Sequence, residues 1–170
     1  MIAESYYRAF DLPVATIRPF NFFGPRQSAR AVIPTIITQT LSSSQEIVLG
    51  SLHPMRDYTY CEDVVEAFLK VGESPQAIGE TINIGSNFEI SIGDIVKKVL
   101  SITGTEKQIS VDAGRIRPGK SEVERLWCDN TKAKHLLGWE PSVGFDDGLR
   151  KTVEWFSQNM HLYKSDQYNV

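Results

Sequence analysis

The residues best suited to chemistry stand in Arg18-Pro19-Phe20-Asn21-Phe22-Phe23-Gly24-Pro25-Arg26-Gln27. A guanidinium offers a planar fork of donors that fits phosphate or carboxylate oxygens. Asn21 and Gln27 add neutral donors and acceptors, and three phenylalanines add flat apolar surface. Further arginines, Arg56, Arg115 and Arg117, fall in loops and at strand ends near Pro or Gly. Lys97, Lys98, Lys132, Lys134 and Lys151 fall instead on expected helices, where solvation accounts for them. Binding residues concentrate on loops at strand ends, so the arginines as a group point to a polyanionic small ligand such as a diphosphate. Any one of them alone is better explained by pairing with Asp57, Asp63, Glu122 or Glu124.

Other chemistries find less support. Asp57 and Asp63 could form an acid–base pair, but Asp63 reads more naturally as a helix N-cap. Ser91 reads as a cap, with no His–Asp pair to make it a nucleophile. His53, His135 and His161 have no ligand-like spacing, so no metal site is expected. Cys61 and Cys128 read as reduced core thiols of a cytoplasmic protein. A formal charge of −3 argues against nucleic-acid binding. No apolar run approaches a membrane span, and no signal-peptide layout is present.

The chain has 170 residues, 41% apolar and 23% charged, which suits one globular domain with a real core. The elements that must position the arginines alternate between strand and helix, the pattern of an α/β fold. Residues 1–10 carry a helical stripe, Ile2, Tyr6, Ala9 and Phe10, with no capping residue before it. This reads as a helix entered partway along its length. Val14 to Ile17 is an expected buried strand, followed by irregular chain where Pro and Gly break it. Helices are expected over 31–41, with Pro34 in the first turn, and from Glu62-Asp63 through Val71. Further helices are expected after Ser91, from Asp129 or Asn130 to Leu137 with Gly138 as its stop, and from Phe145 to about Asn159. Short strands are expected at 47–49, 56–61, 81–84, 108–111 and 126–128. Tyr58, Tyr60, Trp127, Trp139 and Trp155 read as packing residues. The sequence has no Gly-rich dinucleotide-binding turn.

Several stretches together resemble the C-terminal half of the NAD-dependent nucleotide-sugar epimerase/dehydratase family, the extended short-chain dehydrogenases. They are Arg18-Pro19-Phe20-Asn21 with Gly24-Pro25-Arg26-Gln27, Arg56-Asp57-Tyr58 with Glu62-Asp63-Val64, Asn83-Ile84-Gly85, Arg117-Pro118-Gly119, and Asp129-Asn130-Thr131-Lys132-Ala133 with Leu137-Gly138-Trp139-Glu140-Pro141. Ser28 to Pro34 and Lys120 to Cys128 resemble the UDP-N-acetylglucosamine 4,6-dehydratase branch of the legionaminic acid type.

The resemblance implies a truncated α/β fold without its N-terminal Rossmann half. Residues 1–160 would hold the last Rossmann elements and the substrate-binding domain, and 161–170 a polar tail. It implies that Asn21, Arg26, Arg56, Asn83 and Arg117 bind a UDP-sugar, with Arg56 and Arg117 on the diphosphate. Val32, Ile33, Pro34 and Val48 would line the uracil pocket. Lys120 stands where relatives carry a ribose-binding Asp, and Glu122 is the alternative carboxylate. Arg18, Pro19 and Phe20 would stand on the nicotinamide side. The NAD fingerprint and the catalytic Tyr-x-x-x-Lys of the family precede the matched region. The chain alone is therefore expected to bind no NAD tightly and to carry no catalytic residue. Its expected partners are a UDP-sugar, further copies in a homodimer or larger oligomer, and a separate N-terminal half; a non-catalytic interaction protein is the other alternative.

Overall fold

The computed structural model describes residues 2–116, 119 and 122–163. The chain runs α1 (Ile2–Phe10), β1 (Thr16–Pro19), β2 (Asn21–Phe23), α2 (Val32–Leu41), β3 (Glu46–Leu49), β4 (Met55–Tyr60) and α3 (Cys61–Glu73). It continues with β5 (Thr81–Ile84), β6 (Glu89–Ser91), α4 (Ile92–Thr103), β7 (Gln108–Val111), β8 (Arg125–Leu126), α5 (Thr131–Leu137) and α6 (Phe145–Asn159). This is the expected α/β alternation. Two compact units result, the first built from Met1–Phe22, Asp57–Glu89 and Trp127–Gly144, the second from the remainder. β4 lies between β2 and β6 in a four-stranded sheet, and β8 pairs parallel with its first two residues.

In the first unit β1 and β5 pair in parallel, Ile17 opposite Ile82 and Arg18 opposite Asn83. Side chains alternate across a strand. Ile17, Ile82 and Ile84 therefore enter a core with Val64, Ala67, Ala133 and the fully buried Trp139, beneath α3 and α5. Arg18 and Asn83 take the other face. Thr16 N–H donates to Glu80 O (2.9 Å) and Phe20 N–H to Ile84 O (2.8 Å). The nitrogen of Pro19 thus points away from β5, where a missing N–H costs no ladder bond. That is why the strand runs on through Pro19 rather than ending at Ile17. The outer edge of β5 is met by Lys132, whose Nζ donates to Thr81 O (3.1 Å).

α1 is amphipathic, yet no residue of it is buried, and Ile2 and Phe10 are 81% and 71% exposed. Val65, Phe68 and Leu69 on α3 are exposed as well. Asp63 departs from its expected role. The N-cap of α3 is Tyr60, and Asp63 sits inside the first turn, where its charge still suits the helix dipole. Its carboxylate instead accepts Ser142 N–H (2.9 Å), Ser142 Oγ–H (2.7 Å) and Val143 N–H (3.1 Å). Its main-chain carbonyl accepts Trp139 Nε1–H at 3.0 Å. Gly138 closes α5 with φ 56°, as expected of a glycine stop.

In the second unit α2, α4 and α6 pack together through Ile33, Ile36, Ile37, Ile95, Val96, Leu149, Val153 and Phe156, all buried. Ser91 caps α4 by accepting Asp94 N–H at 3.0 Å. β3 and β7 form a parallel pair with Ile47 opposite Ile109. The ammonium of Lys107 donates to Gln39 O and Ser42 O, 2.7 Å each, which places a positive charge at the C-terminus of α2.

Two further expectations are corrected. The chain after Pro19 is not irregular, because Asn21–Phe23 forms β2. Trp127 is 46% exposed rather than packed. Met160–Leu162 makes a 3-10 turn, and Tyr163 packs on Phe156 with ring centroids 4.6 Å apart. Its hydroxyl donates to Gln27 O at 2.9 Å.

Candidate functional site

Within the first unit, the carboxyl ends of β1 and β5 carry Arg18, Asn83 and the half-buried Phe20 and Asn21. Ligands of open α/β sheets bind at this end. Arg18 is exposed. Asn83 keeps a buried Oδ1 with no hydrogen-bond partner among the described residues, which is a spare acceptor of a kind folded proteins rarely leave unused. Asn21 Nδ2 donates to Asp57 O at 3.4 Å, long enough to leave the amide available to a stronger acceptor.

Asp57 organises this end. Its carboxylate is fully buried and accepts Ser86 N–H (2.7 Å), Ser86 Oγ–H (2.8 Å) and Cys128 N–H (3.2 Å). Asn130 Nδ2 donates to Gly85 O at 2.9 Å. A Cβ at Gly85 would lie 2.2 Å from Cys128 Cβ. Three segments are thereby tied beside Asn21 and Asn83. Burial, reinforced by the charges of Asp57 and Asp129, pushes the Cys128 thiol up to about 12. It is a packing group and not a nucleophile. Cys61, expected in the core, is only half-buried at the start of α3.

The second unit holds Arg26, Val32, Ile33, Pro34, Val48, Arg56 and Glu122. Arg56 Nη2 meets Glu122 Oε1 at 2.9 Å, with the two side chains 14% and 12% exposed. Arg56 Nη1 donates to Met55 O at 2.9 Å. Arg26 is exposed at a turn and has φ 65°, a left-handed conformation uncommon outside glycine. Ile33 and Pro34 are taken up by the helical core, so only Val32 of that trio keeps accessible surface. Val48 is half-buried. Its N–H donates to Gln39 Oε1 (2.8 Å), and its carbonyl accepts Gln39 Nε2 (3.1 Å) and Arg115 Nη1 (2.6 Å). Arg115 also pairs with Asp112 at 3.3 Å, so it serves the fold. Arg117 lies outside the described residues.

The structure thus brings Arg18, Phe20, Asn21 and Asn83 together in one unit, and Arg56 with Glu122 in the other. Sequence reasoning missed the part played by Asp57. The signal available was an acid directly after Arg56 together with Gly85-Ser86 directly after a strand.

The sequence profile described as GDP-mannose 4,6 dehydratase matches residues 1–152. The dTDP-D-glucose 4,6-dehydratase of Mus musculus is 34% identical over 95% of this chain and 46% of its own length. The UDP-glucose 4-epimerase of Mycolicibacterium smegmatis is 30% identical over 89% of this chain and 48% of its own. Among solved structures, the UDP-glucuronic acid 4-epimerase of Bacillus cereus, in complex with UDP-glucuronic acid and NAD, superposes with a TM-score of 0.85 at 30% identity, covering 95% of this chain and 50% of that one. The dTDP-glucose 4,6-dehydratase of Bacillus anthracis, in complex with NAD, gives 0.86 at 29% identity, covering 96% and 50%. The chain spans about half the length of the relatives it matches. With the profile running through nearly all of its elements, the chain belongs to the GDP-mannose 4,6 dehydratase family of nucleotide-sugar dehydratases and epimerases.

Proposed function

We propose that this chain is the nucleotide-sugar-binding part of a 4,6-dehydratase or epimerase. The observation that carries the reading is Arg56, a largely buried guanidinium held in place by Met55 O and Glu122 on the strand that begins the Arg-Asp-Tyr motif. In the second unit Arg56 grips the ligand's diphosphate, Glu122 accepts from ribose hydroxyls, and Val32 and Val48 face the base. Arg26 and, by sequence, Arg117 add cationic charge. In the first unit Asn21 offers a donor and Asn83 an acceptor to a polar ligand. Arg18, Pro19 and Phe20 stand on the nicotinamide side. No Gly-rich phosphate turn occurs in this sequence, so the residues present do not by themselves form an NAD diphosphate cradle, and no reaction step is assigned to this chain alone. UDP-N-acetylglucosamine is the preferred ligand on sequence grounds. Titration calorimetry of the chain with UDP-N-acetylglucosamine is expected to show binding that Arg56→Ala weakens tenfold or more, about 1.4 kcal/mol or above. Binding unaffected by Arg56→Ala would overturn the reading.

A second reading is favoured by the uncovered apolar faces of α1 and α3. Apolar patches of this kind mark interaction surfaces. In that reading the chain acts in an assembly, with further copies of itself or with a separately supplied N-terminal half. Light scattering at micromolar concentration is expected to give a mass of two chains or more. A monomer would exclude self-association.

A further inference from the structure

The pair formed by Arg56 and Glu122 differs in setting from the surface pairs of this protein. Its side chains are 14% and 12% exposed, whereas those of Lys97 and Asp94 are 75% and 52% exposed. Water screens an exposed pair and makes it worth little. A pair largely removed from water keeps most of its mutual field.

Arg56 therefore meets any incoming anion with its charge already balanced. A guanidinium carries five N–H donors. Nη1 spends one on Met55 O and Nη2 spends one on Glu122 Oε1. The three remaining can still hold phosphate oxygens, but Glu122 stands beside them. A carboxylate only accepts hydrogen bonds, so it repels a bare phosphate and attracts a hydroxyl. A polyanion without hydroxyls meets that repulsion with nothing to offset it. A diphosphate joined to a sugar carries its own hydroxyl donors next to the charge and can satisfy Glu122 while binding Arg56.

We propose that Glu122 is a specificity-determining residue: as the resident counter-ion of Arg56, it makes this subsite select nucleoside diphosphates over inorganic polyanions. The proposal rests on the reading that Arg56 holds the diphosphate. The test is calorimetric titration of the wild-type chain, Arg56→Ala, Glu122→Gln and Glu122→Asp with UDP and with inorganic pyrophosphate. Circular dichroism checks the fold of each variant.

In the wild type, UDP should bind more tightly than pyrophosphate. Glu122→Gln should tighten pyrophosphate at least fivefold without tightening UDP to the same extent, so the UDP-to-pyrophosphate preference falls at least fivefold. Glu122→Asp keeps the charge but draws it back by one methylene; it should move the preference the same way, at least twofold. This second variant decides the matter if Glu122→Gln does not fold. Unchanged or weaker pyrophosphate binding in the folded variants overturns the proposal while leaving the role of Arg56 intact. Failure of the wild type to bind either ligand, or binding that Arg56→Ala leaves unaltered, removes the underlying reading and the proposal with it.

Discussion

Gly85→Ala is expected to destabilise the chain by about 3 kcal/mol or more, read as a fall in the urea midpoint at constant slope. The added Cβ would stand 2.2 Å from Cys128 Cβ and 2.6 Å from its Sγ. No rotamer of Cys128 relieves the first contact, because a Cβ does not move with χ1. Either the end of β5 or the segment through Cys128 must shift. Asp57 and Asn130 hold both in place, through Cys128 N–H, Ser86 and Gly85 O. Gly85 is not among the residues with positive φ, so an alanine has no backbone conflict there and the effect is steric alone. That makes the prediction sharp in a double substitution. Cys128→Gly should recover most of the loss caused by Gly85→Ala, whereas Cys128→Ala, which keeps its Cβ, should recover little. Equal recovery by the two would mean that backbone strain, not the close approach, is at fault.

Asp63→Ala is expected to cost about 2–3 kcal/mol, the upper part of the range for taking the acceptor from hydrogen-bonded donors. Two main-chain N–H groups, of Ser142 and Val143, and the Ser142 hydroxyl all point at this carboxylate. Asp63 is 1% exposed whereas Ser142 lies at the surface, so water takes up part of what the carboxylate held. Ser142→Ala removes only the hydroxyl and should cost about 1 kcal/mol. If Asp63 acted merely as a helix-start charge, Asp63→Ala would cost well under 1 kcal/mol, and chemical denaturation separates the two cases.

Asp63 also shows where the sequence stops being legible. An acid near the start of an apolar-periodic run reads as a cap, because capping is a local property. Its actual partners lie nearly eighty residues away, and no local pattern reports them. The same holds for Asp57, whose partners Ser86 and Cys128 come from two distant segments. Elements of good length and strong periodicity were legible: α2, α4 and α6 fall where Val32, Ile95 and Leu149 place them, with Ser91 and Gly138 as their local punctuation or that of their neighbours. β2 and β6 have three residues each, too few for a period of two to register. Of the candidate site, Arg56 and Asn21 were legible through their motifs. The neutralisation of Arg56 by Glu122 was legible only as one pairing among several, since charge gives no direction until the fold supplies one.

Gln39 carries a consequence for how β-structure ends in this protein. Asp112 N–H donates to Leu49 O and Gln108 N–H to Gln45 O, so the peptide groups of Val48 face the opposite edge. There the amide of Gln39 returns both hydrogen bonds that a neighbouring strand would give. A strand offered in that place can be lengthened and can template another chain; a side-chain amide cannot. The two-stranded sheet is thus terminated by side chains, the amide of Gln39 with Arg115 beside it, a chemical full stop that denies fibril-like growth a foothold on that side.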